Sequence, residues 1–297
     1  MNAISVRNLT KSYGRTKAVD SVNLHIKKGE LFGFLGRNGA GKSTFINMLT
    51  GIIQPTTGEI SLLELKNTNT ILKRIGVLPD YTAFYESMTA LQHLSYFSSL
   101  QGAKKSKMEC LTVLEKVGLV PHAAVKVGKY SFGMKKKLGI AQAIINEPDL
   151  LILDEPTSGV DAESAIHIQR LLLDLNKKGT TIFMTSHNLD EVEKICTRLA
   201  IMKDGRIVNE GTLSELKQKY TESLEVVMAI SRRPSSQLLM EATSITGALD
   251  VLESTMSFRA TNDEMIQEVV RLLVNNGIGV HRISADQPNL EDIFLNG

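Results

Sequence analysis

Residues 36–44 read Gly36-Arg37-Asn38-Gly39-Ala40-Gly41-Lys42-Ser43-Thr44, and this stretch decides the reading of the chain. Gly36, Gly41, Lys42 and Ser43 stand at the offsets of a phosphate-binding loop. Leu31–Leu35 before it is a short apolar run suited to a buried strand, and Phe45–Leu49 after it opens a helical pattern. Strand, glycine loop and helix are the setting that this chemistry requires. Successive amides and the positive end of a helix converge there on an anion. Glycine lets backbone approach phosphate with no Cβ in the way. At such a loop Lys42 reaches the β- and γ-phosphates and the Ser43 hydroxyl ligates magnesium.

The chain of 297 residues allows one large or two smaller domains. Its apolar content of 42% supports a core, and its net charge of +2 is too small to imply nucleic-acid binding by itself. Cys110 and Cys196 lie far apart, which fits a reducing compartment and gives no disulfide or metal signal. Polar residues near the N-terminus argue against a signal peptide. No apolar run approaches the roughly 18 residues of a spanning helix.

Working outward, residues 3–28 predict two paired strands around Gly14. A strand over 57–65 follows the turn at Pro55–Gly58, and a short one over 75–80 ends at Asp80. From Met88 to Ile145 the pattern turns helical, and Lys135–Lys137 reads as a solvated helix face, with a second reading in which it helps balance charge near a nucleotide. Leu150–Leu153 is a buried strand running into Asp154-Glu155-Pro156. A carboxylate at the end of a buried strand needs a cation opposite it, so Asp154 is expected to help hold magnesium on a nucleotide. Glu155 is placed to orient or deprotonate an attacking water. A helix over 162–178 closes at Gly179, a strand over 180–185 leads to His187, and a hairpin turns at Asp204-Gly205. A histidine at a strand end can donate to a γ-phosphate or to the attacking water. Composition changes after Tyr220. Ser231–Gln237 reads as a loop, Thr261–Glu264 as a capping box before a helix stopped by Gly277, and 279–285 as a strand.

Together these pieces resemble the nucleotide-binding subunit of an ATP-binding-cassette (ABC) transporter over about residues 1–220. Tyr13, in Lys11-Ser12-Tyr13-Gly14, matches the aromatic that stacks on adenine. Ser131 and Gly133 match the family signature, here Tyr130-Ser131-Phe132-Gly133-Met134 with a bulky Phe132 and an apolar Met134. Ser158–Asp161 matches the loop that crosses the dimer interface, with Asp161 at the nucleotide, and His187 matches the switch histidine. Asp80 stands where the family usually has glutamine; it is shorter and charged, and a water-mediated magnesium contact is open to it.

The resemblance implies an α/β fold. Its parts are a P-loop NTPase core with a parallel sheet, an antiparallel β subdomain, a helical insert over about 85–145 and a small C-terminal α+β domain over 221–297. It implies an ATPase using ATP and Mg²⁺. Two ATP molecules would be sandwiched in a homodimer, each phosphate loop closed by the other copy's Ser131 and Gly133. It also implies separate transmembrane permease subunits, docked near Asp80–Glu86, and a cytoplasmic place on the inner face of a bacterial membrane through that permease alone. Export is the expected direction, with no nucleic-acid partner and with residues 221–297 regulatory or dimer-stabilising. The alternative is a soluble ABC protein acting on ribosomes or DNA. Ribosomal relatives usually carry two cassettes and repair relatives a long coiled coil, whereas this chain has one loop, one signature and a short gap between them.

Overall fold

The computed structural model describes residues 1–65, 68–80, 83–216 and 224–286, in two compact units, Met1–Leu213 and Ser214–Gly297. The expected boundary at Tyr220 lies outside the described residues.

The first unit opens with β1 (Asn2–Tyr13) and β2 (Thr16–Lys27), antiparallel, followed by β3 (Leu31–Leu35) and α1 (Lys42–Leu49). Next come β4 (Thr57–Leu62), α2 (Thr68–Leu72) and β5 (Ile75–Leu78). The helical segment holds α3 (Ala90–Leu100), α4 (Lys107–Lys116) and α5 (Phe132–Ile144). Thr89 and Ser106 start α3 and α4 with capping boxes, each hydroxyl accepting from the third amide of its helix. The unit finishes with β6 (Leu150–Leu153), α6 (Ala162–Lys177), β7 (Thr181–Ser186), α7 (Leu189–Ile195), β8 (Arg198–Lys203) and β9 (Arg206–Thr212).

Two sheets result. One is antiparallel, in the order β2-β1-β4. The other runs β5-β6-β7-β3-β8-β9, parallel from β5 through β8 with β9 antiparallel at the edge. β3, β6 and β7 are buried along their whole length, which is why they read as unbroken apolar runs. Phe32, Phe34, Phe45 and Phe183 form the centre of the core; the Phe34 and Phe45 rings stack at 4.9 Å and Phe34 meets Phe183 at 5.4 Å. Because β3, β5, β6 and β7 are parallel, the residues that leave their C-terminal ends share one edge of the sheet. Open α/β sheets bind ligands at that edge.

The second unit has β10 (Leu224–Ile230), α8 (Ser236–Thr246), β11 (Leu249–Leu252), β12 (Thr255–Ala260), α9 (Asp263–Asn275) and β13 (Val280–Asp286). Its sheet, β11-β12-β10-β13, is antiparallel at every pairing, the split βαββαβ arrangement. Val226, Met228, Met256, Phe258, Val269 and Leu273 are the centre of its own core.

Several expectations needed correction. β4 stops at Leu62, because Leu63 and Glu64 take left-handed φ values of 56° and 58°. β5 stops two residues short of Asp80. The loop expected over 231–237 ends earlier, since Ser235 caps α8 by accepting from the Leu238 amide. α9 is capped by Asn262, whose side chain accepts from the Met265 amide, and not by Thr261. Helix α7 and strands β10, β11 and β12 had no counterpart in the sequence reading.

The Lys135–Lys137 face is not uniformly solvated. Lys136 is only 5% exposed; its Nζ donates to the Asp154 carbonyl at 3.2 Å and lies 3.6 Å from Asp80 Oδ1. Its helical phase is the cause, because Lys136, Ile140 and Ala143 share the buried stripe of α5. Removing one member of such a pair strands the other charge. Lys136→Ala should therefore lower unfolding stability by about 2–3 kcal/mol, and Lys135→Ala by no more than about 0.5 kcal/mol. Urea denaturation of both variants checks the contrast, and equal losses would count against it.

Candidate functional site

The loop between β3 and α1 lines one cavity through Arg37, Asn38, Gly39 and Gly41. Gly41 sits at φ 108°, a conformation closed to other residues, and a Cβ there would lie 2.2 Å from the Ala18 carbonyl oxygen. Within the loop the Ala40 amide donates to the Arg37 carbonyl, and the Ala40 carbonyl accepts from Gly205. Lys42 is buried at the start of α1; its Nζ donates to the Gly36 carbonyl at 2.5 Å and lies 3.6 Å from Glu155 Oε1.

The cavity encloses ≈ 350 Å³, near the lower end of the roughly 300–1,000 Å³ of ligand sites. Arg37, Asn38, Gly39, Gly41, Lys42, Ser43, Thr44, Asp80, Glu155 and His187 line it, with Ala18 and Ser158. Ten of the residues anticipated from the sequence thus meet at one place, drawn from the ends of four parallel strands.

Asp154 stands behind this wall, 3% exposed. The Thr185 hydroxyl donates to its Oδ1 at 2.5 Å and accepts from the Glu155 amide at 3.0 Å. Glu155 holds a left-handed φ of 51°, uncommon outside glycine and frequent where function fixes a backbone. That twist turns the Asp154 and Glu155 carboxylates to different surroundings. Asp154 faces Thr185, whereas Glu155 faces the cavity, with Oε2 2.7 Å from His187 Nδ1. Burial pulls the Lys136 ammonium below its ordinary value, and Asp80 and Asp154 push it back up.

The other anticipated residues lie outside the cavity wall. Tyr13 ends β1 half exposed, with Lys11 Nζ 5.3 Å from its ring centre. Ser131 caps α5, its hydroxyl accepting from the Met134 amide. Gly133 follows it in the first turn of the same helix. Asp161 caps α6; the Ser164 amide donates to it at 2.8 Å and, with the Ser164 hydroxyl, holds its carboxyl below the usual range.

Magnesium fits the donors present. Ser43 and Asp80 line the cavity and Asp154 lies behind it, all hard oxygen ligands. Among the described residues no cluster of three or more His, Cys, Asp or Glu could cage an ion. Magnesium bound mainly through substrate phosphates needs only one or two carboxylates.

Thr185 was missed as a site residue, and Lys136 was not singled out from its neighbours Lys135 and Lys137. A hydroxyl within a fully buried strand signals Thr185, and the i, i+4, i+7 stripe of α5 signals Lys136.

Comparison with known proteins gives a consistent picture. Residues 19–158 match the ABC transporter family, and residues 211–296 match the C-terminal domain of DrrA1-3-like ATP-binding proteins. The bacitracin transport ATP-binding protein BcrA of Bacillus licheniformis is 38% identical over 98% of this chain and 96% of its own. The linearmycin resistance ATP-binding protein LnrL of Bacillus subtilis is 31% identical over 99% of this chain and 97% of its own. A dimeric ATP-binding cassette in a post-hydrolysis state, bound to ADP and phosphate, superposes with a TM-score of 0.66 at 28% identity, covering 71% of this chain and 98% of that one. Its fold, its phosphate loop and relatives aligned over nearly their full length make this chain a member of the ABC transporter family, an ATP-binding and ATP-hydrolysing subunit.

Proposed function

We propose that the chain binds Mg-ATP in the 350 Å³ cavity and hydrolyses it inside a two-ATP homodimer that drives export through separate membrane subunits. The observation that carries this reading is the convergence of Lys42, Glu155 and His187 on one phosphate-sized space. Lys42, Ser43, Thr44 and the amides of 36–41 grip the phosphates. Ser43, Asp154 and Asp80 would hold magnesium, which would neutralise charge on the β- and γ-phosphates. Glu155 orients a water and accepts its proton as the water oxygen bonds to the γ-phosphorus; ADP leaves. His187, fixed by Glu155, donates to the γ-phosphate. Tyr13 stacks on adenine.

The capped start of α5 supports the dimer. Ser131 and Gly133 stand at a helix N-terminus, a natural anion site, yet do not line their own chain's cavity. They complete the cavity of a second copy, with Asp161 beside them.

Among the described residues no helix is long and apolar enough to cross a membrane, and the reading assigns the channel to another polypeptide. Part of the expected docking segment, residues 81–82, lies outside the described residues. Beside it, Tyr85 and Tyr96 meet edge to face at 5.7 Å and are 50% and 40% exposed. Leu100 is also exposed, at the rim of a second cavity. This aromatic ledge is the surface we assign to the permease. The direction of transport follows the relatives named for bacitracin transport and linearmycin resistance. We assign residues 221–297 to a regulatory or dimer-stabilising role and residues 1–220 to catalysis. The subunit accordingly sits in the cytoplasm, held at the membrane by its permease.

Glu155→Gln should keep ATP binding, lose about 10²–10³-fold in turnover and accumulate a dimer in Mg-ATP on size exclusion. Undiminished turnover would reject Glu155 as the base. Tyr85→Ala with Tyr96→Ala should abolish co-purification with the membrane subunit while ATP affinity holds; unchanged co-purification removes the ledge from the docking surface. A chain lacking residues 221–297 should still bind ATP, as equilibrium dialysis can measure. Loss of binding in a folded truncation would overturn the separation of roles.

A further inference from the structure

Phe132 is an anomaly of this chain. It begins α5 and is 56% exposed, a poor place for an aromatic ring unless something uses it. One face of the ring is in use. Gly159 has a left-handed φ of 73°, and a Cβ there would lie 2.4 Å from the Phe132 ring. Only glycine satisfies both the backbone and the ring at that position. Next to it, Val160 Cγ1 lies 3.6 Å from the place where a Cβ on Gly133 would be. The start of α5 and the 158–160 loop are therefore packed as one piece.

That loop is short and tied at both ends. Thr185 holds the Glu155 amide, and Asp161 is fixed as the cap of α6. Between them the Ser158 amide donates to the Glu155 carbonyl at 3.2 Å and the Val160 amide to the Thr157 carbonyl at 3.3 Å. Ser158 also lines the cavity, beside Glu155. A displacement of the ring toward Gly159 passes into that residue and from there into the turn that carries Glu155.

We propose that Phe132 couples the two nucleotide sites of the dimer. When Ser131 and Gly133 engage the γ-phosphate held by the other copy, the Phe132 ring presses on Gly159 and sets Ser158 and Glu155 for cleavage in its own protomer. Each site then reads the occupancy of the other through one aromatic–glycine contact. Coupling of this kind needs an element that both sites bias, and the 155–161 segment is that element. Phe132 is a positioning residue; it acts through Glu155. The inference rests on the ATP-sandwich reading above.

The test uses the full chain as native protein, Phe132→Gly and Phe132→Leu. Native turnover against ATP concentration should give a Hill coefficient above about 1.5, falling to about 1 in Phe132→Gly and recovering in Phe132→Leu. Nucleotide affinity of the phosphate loop should change less than about twofold, since a tenfold change needs a contact of appreciable strength. In a Glu155→Gln background, Mg-ATP should slow hydrogen exchange at the amides of 157–161, and Phe132→Gly should abolish that protection while protection at 36–44 persists. A non-cooperative native chain overturns the proposal, as does a Phe132→Gly variant that keeps the native Hill coefficient and the 157–161 protection. If Phe132→Gly with Glu155→Gln no longer dimerises, the ring serves adhesion and the coupling is rejected. A Glu155→Gln chain that stays monomeric in Mg-ATP rejects the sandwich itself, and so separates the two failures.

Discussion

One hydroxyl governs the catalytic edge of this protein. Thr185, near the end of β7, donates to Asp154 and accepts the amide of Glu155, joining the ends of two neighbouring strands. Asp154 is almost fully buried, and an unpaired carboxylate there would cost several kcal/mol. The hydrogen bond meets part of that cost and fixes the carboxylate before any cation arrives. It also anchors the amide of a residue in a left-handed conformation, which keeps the Glu155 side chain turned toward Lys42 and His187. The sheet register makes this possible, since Leu153 lies opposite Met184 and the next residues diverge from one level.

The electrostatics of the site follow from this arrangement. Lys42 and Lys136 reach the acidic cluster from two different elements, one at the end of the phosphate loop and one from α5. Both are nearly buried, so each cation stabilises carboxylates that could not otherwise lie so close together. A nucleotide entering this space meets two ammonium groups already facing three carboxylates, and its phosphates compete with Glu155 for Lys42.

Much of this was legible in the residues. The nine residues 36–44 specify strand, loop and helix because glycine, lysine and serine there have few substitutes. The buried strands announced themselves as apolar runs, and Asp154, Glu155 and His187 as polar residues at their ends. What stayed hidden depended on tertiary context. Lys136 looked like its neighbours Lys135 and Lys137, and only the orientation of α5 separates them. Helix α7 spans seven residues, too short for a periodic signal. In the second unit, strand β11 alternates intermediate and exposed positions with none buried, so it carries no strong apolar pattern. Asn262 is the stronger cap by residue type, and its extended backbone places it, rather than Thr261, directly before the first helical residue.

The strand that leads into the phosphate loop, Leu31–Leu35, is sandwiched between Thr181–Ser186 and Arg198–Lys203. Both flanking strands lie some 150 residues further along the chain. On a ribosome adding about 5–20 residues per second, this five-residue apolar segment waits on the order of ten to thirty seconds for a neighbour to bond with. Newly made chains therefore carry an unsatisfied, sticky strand through about half of their synthesis, and the ATP pocket is among the last features of its unit to exist.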